Sequence, residues 1–595
     1  MQPFAGIARS DQPQAFSQAL FRWRVPIFVA VVLLHVLAFN GQWRVGRDSA
    51  LYRGLGRSLT EGRGYVAEGQ ADGLALPGYP LLLAGMQQIF GDRPLNPWPQ
   101  LLVMSAMAML TLVVVYRLVS CHFSPWMAVA TTAMLGVNWK FVQQANELMT
   151  DIPFLLAVCL ALLGHGRLSD STVIRRKWPA IAAVVGGLAA AALIRPTFAA
   201  VAAAWAAACL WSLHKKRDRR AALVGLGALV VLGLGLGAFL LQSRPDGKLH
   251  QQYEHSIRAK VEHLRAMLLE RPDAEESSGP KRKSPARKMV EHHFPEAFFG
   301  TEMWHFSVPL TVLSLLYGVM LVRVNVLWGL LVLFSAAMFL FLGNVPRYFL
   351  MVMPLLILGW VWATDVVGGL LAHRPALRGL LMAASLGLVT LPNLAKSVAI
   401  VLEQHGLILE HKLHGATASR IVSFLPWVRA EFLAVYRGGK LRPIVGISQV
   451  IASHVPAGQA VLGPEPRITS YLSGRRVVLV GQRPQSDSTP PVRWAQRLPL
   501  RWVVLPGSIY GEQRGAMERD VATERFITKY VKNTPAQSEP WCWGSMWLAP
   551  LELVPTRPPP RPPRSPASRP PKRSATRQSS TNSTMPASRP ATDGT

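Results

Sequence analysis

"VPIFVAVVLLHVLAF", residues 25–39, is an apolar run interrupted by a single polar side chain, His35. Comparable blocks recur near 98–118, 125–138, 151–166, 179–194, 196–212, 221–242, 305–322, 326–343, 348–370 and 378–400. Stretches approaching twenty residues cross about 30 Å of hydrocarbon as helices. In lipid only helices and closed barrels satisfy their own backbone hydrogen bonds. The pattern therefore predicts a polytopic α-helical membrane protein with about eleven spans, in a range of roughly nine to thirteen. The bulk composition agrees: of 595 residues, 50% are hydrophobic and 16% charged. No small-residue cleavage site follows the first run, so it is expected to remain as an anchor.

The net charge of +30 does not indicate a nucleic-acid partner, because no basic domain studded with aromatics accompanies it. Much of it lies in short loops: "FRWR" (21–24), "HGRLSDSTVIRRKW" (165–178), "HKKRDRR" (214–220), Arg323 and "AHRPALR" (372–378). With alternating spans these all fall on one side, which the positive-inside rule makes cytoplasmic, together with residues 1–24. The opposite side receives 41–97, 139–150, the Arg195–Pro196 link, 243–304, 344–347 and everything after 400. The basic run "KRKSPARK" (281–288) sits in long loop 243–304, and long loops translocate largely regardless of charge. Four cysteines, Cys121, Cys159, Cys209 and Cys542, suggest neither a disulfide framework nor a zinc site.

That sorting gathers Asp48, Glu147, Asp151, Arg195 and Arg347 at one membrane rim. In "VGRDSALYRGLGRSLTEGRGY" (45–65), Tyr52, Leu55 and Leu59 follow Asp48 at the spacing of one helix face, and Gly62 and Gly64 supply stop signals. Asp48 suits either an N-cap or a catalytic carboxylate. "LPGYPLLLAGMQQIFG" (76–91) is apolar but too short to span, and reads as a helix at the outer membrane surface. Glu147 and Asp151 precede the fourth span, where Thr150 or Asp151 could equally be caps. Arg195, between two apolar runs, either snorkels or binds a phosphate, for which a guanidinium fork is suited. Arg347 with Tyr348 offers a second such position. His292 and His293 beside Glu291 and Glu296 are a weak candidate for a divalent metal, since their spacing follows no strong ligand pattern. Carboxylates can take a proton from an acceptor, while arginines hold and stabilise a departing phosphate.

The first outer loop resembles that of the GT-C class of membrane glycosyltransferases, closest to the family 39 set of protein O-mannosyltransferases and aminoarabinose transferases. The resemblance is carried by Asp48, Tyr52, "LTEGRGY" ending in Tyr65, and "LPGYPLLLAGMQQIFG" with Tyr79. "NELMTDIPF" (146–154), "GLAAAALIRPTF" (187–198) and "PRYFLMVMPLL" (346–356) follow in the same order, so the likeness covers roughly 25–360. It implies that Asp48 is the catalytic base, that Glu147 and Asp151 form a second acidic motif, and that the tyrosines line the substrate. Arg195, Arg347 and Tyr348 are assigned to the donor phosphate from position and chemistry. Where many relatives carry a second acid directly after the first, Ser49 stands here, which weakens a metal site in this loop.

The resemblance implies an enzyme in the cytoplasmic (inner) membrane with its site on the extracytoplasmic face. It would move a sugar from a polyprenyl-phosphate donor to a protein, lipid or glycan acceptor among membrane lipids. A polymerase or ligase of lipid-linked glycans is an alternative. A lipid or sugar transporter is another, though no internal repeat is seen and the ionisable residues lie at a rim rather than mid-span. The transmembrane module is expected over 25–400. After it, alternating strand-like and helix-like stretches predict an extracytoplasmic α/β domain within 401–554. The Pro/Arg/Ser-rich tail, 555–595, is expected to be disordered.

Overall fold

A computed structural model describes residues 15–39, 41, 47–67, 70–71, 75–94, 97–170, 177–216, 219–242, 289–301, 306–342, 346–371, 373–404, 442–463, 466–478, 500–506, 541–543 and 546–550. Loop segment 281–288, Cys542's side chain and the tail 555–595 lie outside that description. Each apolar block coincides with a helix. After a short α1 (Ala15–Arg22) come α2 (Arg24–Ala38), α3 (Arg47–Thr60), α4 (Gly78–Phe90), α5 (Trp98–Ser120), α6 (Pro125–Val137), α7 (Trp139–Ala145) and α8 (Asp151–Asp170). Then follow α9 (Lys177–Ile194), α10 (Phe198–His214), α11 (Arg219–Gln242), α12 (Phe294–Phe299), α13 (Ser307–Met320), α14 (Val326–Leu342), α15 (Met353–Leu370) and α16 (Pro375–Gln404). By length and composition four of these can cross a membrane: Trp98–Ser120, Asp151–Leu168, Met353–Leu370 and Pro375–Leu402. α16 continues to Gln404, so the expected module boundary at 400 falls inside a helix.

The helices begin where the sequence provides for it. Pro99, Pro125 and Pro354 stand in the first turns of α5, α6 and α15, where the missing N–H costs no intrahelical bond. Asn138 caps α7, its side chain accepting from the Lys140 and Phe141 amides at 3.1 and 3.2 Å. The amide of Asn138 also donates to Ala297 O and to Asn393 Oδ1, at 2.9 and 3.0 Å. One buried asparagine thereby ties α7 to α12 and α16. Apolar side chains remain exposed on α2 (Val29, Leu33, Val36) and α11 (Val231, Leu234), as lipid contact requires of a multi-pass membrane protein.

α8 and α9 pack at backbone distance. A Cβ on Gly187 would lie 2.6 Å from Ala157 O, and one on Gly164 would lie 2.7 Å from Ala180 O. Small residues permit this close approach between membrane helices. It aligns the start of α8, at Asp151, with the end of α9, next to Arg195.

The described residues after 441 form α17 (Arg442–His454), α18 (Pro466–Ser473) and a five-stranded sheet. Its strands are β3 (Ala460–Leu462), β4 (Arg476–Val478), β5 (Leu500–Pro506), β6 (Trp541–Trp543) and β7 (Met546–Pro550), in the order β4-β3-β5-β7-β6. β3 runs parallel to β4 and β5, and the β5–β7 and β6–β7 pairs are antiparallel. A two-residue pair, β1 (Val66–Ala67) with β2 (Gln70–Ala71), closes the loop after α3.

Candidate active site

α3 begins at Arg47, which puts Asp48 inside the first turn rather than at the capping position. A carboxylate there is favoured by the positive end of the helix dipole. Its oxygens face arginines from two distant parts of the chain: Arg347 Nη2 donates to Oδ2 at 2.8 Å, and Arg467 Nη1 stands 3.8 Å from Oδ1. Arg347 belongs to a 3₁₀ turn, Pro346–Met351, that leads into α15.

The second pair lies alongside. Arg195, in the link between α9 and α10, donates from Nη1 to Asp151 Oδ1 at the first residue of α8. Both side chains are buried, so Arg195 does not snorkel: its partner is inside the protein. Oδ2 of Asp151 is buried and has no hydrogen-bond partner among the described residues. Tyr348 presents its ring to both arginines, with its centroid 4.9 Å from Arg195 Cζ and 5.7 Å from Arg347 Cζ. Such cation–π contacts fix guanidiniums while leaving their N–H edges free.

Tyr52 joins the two pairs, one turn after Asp48 on α3. Burial first, and then the charge of Asp48, push its phenol up to about 12 against the opposing pull of Arg195 and Arg347. It stays a neutral donor at any physiological pH. Its ring meets Tyr79 edge to face at 5.2 Å, and burial above all raises the Tyr79 phenol well beyond its ordinary value. Gly78 explains the tight "PGYP" element: a Cβ there would lie 2.8 Å from the Leu193 backbone, so α4 rests directly on the end of α9 beside Arg195. Arg347 is held charged more firmly than an ordinary arginine, since Asp151 and Asp48 together outweigh its burial.

The remaining expected residues stand further out. Glu147 receives hydrogen bonds from Gln143 Nε2 at 2.9 Å and Gln144 Nε2 at 2.8 Å. Its charge is felt at Tyr79 and at Lys140. Burial brings the Lys140 amine down to about 8, against Glu296 and Glu147, which favour its charge. Tyr65 donates to Ala75 O at 2.9 Å and closes the loop leading to α4. Among the described residues no three His, Cys, Asp or Glu side chains gather as a metal would need. Glu291 faces His292 at 3.9 Å, while Glu296 faces Lys396 at 3.8 Å, so the expected four-residue cluster divides. Nor does the main site suit a divalent cation. Asp48 and Asp151 are each engaged by a guanidinium, and a surrounding of three arginines attracts anions.

Arg467 was not foreseen from sequence. It lies more than a hundred residues beyond the last matching motif, in "EPRITSYLSG". The available signal was the Arg467–Tyr471 spacing of one helical turn, which puts both on one face.

This arrangement, with acids and arginines at the ends of apolar helices, can be set beside known proteins. The fold is similar to ArnT from Cupriavidus metallidurans in the apo state, with a TM-score of 0.51 and 13% identity, over 89% of this chain and 98% of that one. It is also similar to the Archaeoglobus fulgidus oligosaccharyltransferase tethered with an acceptor peptide, with a TM-score of 0.50 and 12% identity, over 81% of this chain and 69% of that one. At such identities the likeness is one of fold. No curated protein matches the chain in sequence. The helical fold is of the kind that these two solved proteins share. Within it, residues 75–235 match the family model described as dolichyl-phosphate-mannose-protein mannosyltransferase, a span that includes the "PGYP", "NELMTDIPF" and "LIRPTF" elements.

Proposed function

We propose that the protein transfers a single sugar from a polyprenyl-phosphate donor to a protein, lipid or glycan acceptor at the outer face of the cytoplasmic membrane. The observation that carries this is the convergence of Asp48, Asp151, Arg195 and Arg347 around Tyr52 and Tyr348. The start of α8, the end of α9 and the lead-in to α15 share one side, as alternating spans require. The family model's description, which names a dolichyl-phosphate sugar, supports a lipid-phosphate donor.

In the step this geometry suits, the acceptor oxygen or nitrogen attacks the anomeric carbon and its proton passes to Asp48. The bond from that carbon to the phosphate oxygen breaks, and the lipid phosphate leaves with the bonding pair. Arg347 and Arg195 face the increased negative charge of that leaving group. Tyr348 keeps both guanidiniums in place, and Asp151 holds Arg195 from behind. Inversion at the anomeric carbon follows from a single displacement.

The test is reconstitution in liposomes with radiolabelled polyprenyl-phosphate monosaccharide and a native envelope fraction as acceptor pool. Label is expected to leave the donor lipid and enter envelope material one sugar at a time. Transfer only from lipid-linked oligosaccharide would instead identify a polymerase or ligase.

A further inference from the structure

The C-terminal unit is fastened to the helix that carries Asp48. Tyr471 of α18 donates its hydroxyl to Asp92 Oδ1 at 2.9 Å, and its backbone oxygen accepts from Arg57 Nη1 at 2.9 Å. Arg53 and Arg57, one turn apart on α3, stack on its ring with Cζ at 4.7 and 4.3 Å from the centroid. Both arginines also bind Asp92, and Arg53 is fully buried, donating to Pro94 O and Arg93 O at 2.9 Å. Burial, more than the neighbouring Asp92, raises the Tyr471 phenol, so it remains a donor.

One turn before Tyr471 on the same helix stands Arg467. α18 leaves the carboxyl end of β3, with β4 on one side of that strand and β5 on the other. Crevices that hold ligands open at such switch points in α/β sheets. There, in the first turn of α18, Arg467 comes within reach of Asp48. The two oxygens of Asp48 are treated differently: Oδ2 is anchored by a 2.8 Å hydrogen bond, whereas Oδ1 has a looser 3.8 Å contact with a partly exposed guanidinium. Oδ1 is thus the oxygen open to an incoming proton, and Arg467 stands over its approach.

We propose that Arg467 is an acceptor-binding residue supplied by the C-terminal unit: it yields Oδ1 of Asp48 to the acceptor's nucleophile and takes an electron-rich oxygen beside that nucleophile in exchange. This rests on the transfer reaction proposed above. The groups facing Asp48 are Arg347 from the 3₁₀ turn and Arg467 from α18, with Tyr52 one turn on along its own helix.

The experiment uses full-length protein in liposomes, with radiolabelled polyprenyl-phosphate sugar and envelope fraction titrated separately. Arg467→Ala should raise the apparent KM for envelope acceptor on the order of tenfold and leave the donor KM unchanged. Arg467→Lys should recover part of the acceptor KM. Tyr471→Ala, which keeps Arg467 but frees the unit, should reproduce the acceptor defect. Unchanged acceptor KM in Arg467→Ala would overturn the proposal, as would a rise in donor KM alone, which would put Arg467 on the phosphate. Wild-type protein that transfers nothing from this donor would refute the underlying reaction, an outcome visible before any variant is compared.

Discussion

Arg195 and Asp151, with side chains 10% and 1% exposed, form a pair that neither structure nor chemistry permits to be broken from one side. Removing one partner of a buried ion pair leaves an uncompensated charge and costs about 3–5 kcal/mol, whereas replacing both by neutral groups is often tolerated. Arg195→Ala is therefore expected to lower the melting temperature sharply. The double change Asp151→Asn with Arg195→Met should restore most of that stability but no transfer activity. Full activity in the stable double variant would reduce the pair to a structural pin. The residue types here were legible in the sequence, since an arginine between two apolar runs is costly enough to stand out. The partner's identity was not legible: Asp151 lies 44 residues earlier, and only helix packing brings the two together. The same holds for Asp48 and Arg347, 299 residues apart.

α8 and α9 set the spacing of that pair. Their near-continuous apolar sequences announced two helices but concealed which face of each meets the other, because an all-round apolar helix has no stripe to read. The glycines carry that information. Gly187 touches α8, with a Cβ position 2.6 Å from Ala157 O, while nothing lies within 4 Å of a Cβ on the adjacent Gly186. Gly187→Leu is expected to force the helices apart at a cost of about 1–3 kcal/mol or more, and to reduce transfer by displacing Arg195 from Asp151. Gly186→Ala should leave activity intact and stability equal or raised by up to about 1 kcal/mol, as helix propensity dictates. Thermal unfolding and transfer assays on both variants check this, and equal effects at the two positions would contradict the packing described. α3 shows the complementary case. The Asp48–Tyr52–Leu55 face was readable by spacing, but Arg53 and Arg57 point to the other side and meet Asp92 and Tyr471. Spacing reports a face and not what covers it.

For the molecule as a whole, the helical membrane architecture followed from composition and hydropathy, because lipid leaves a chain few choices. The meeting of residues from four separate regions did not follow. Loop charge could sort Asp48, Asp151, Arg195 and Arg347 onto one side, yet sidedness alone does not produce contact. The docking of α18 on α3 was beyond reach too, since it depends on a tertiary fit between two units with unrelated sequence patterns. The assembled picture makes one demand above others: Asp48 accepts the proton of the incoming nucleophile. The most direct measurement compares wild type with Asp48→Asn for transfer of label from radiolabelled polyprenyl-phosphate sugar in liposomes. The amide keeps the shape and can still accept the Arg347 hydrogen bond, but it cannot take a proton. Transfer should fall by about 10²–10⁴-fold with donor binding largely retained, and transfer by Asp48→Asn at the wild-type rate would contradict the mechanism.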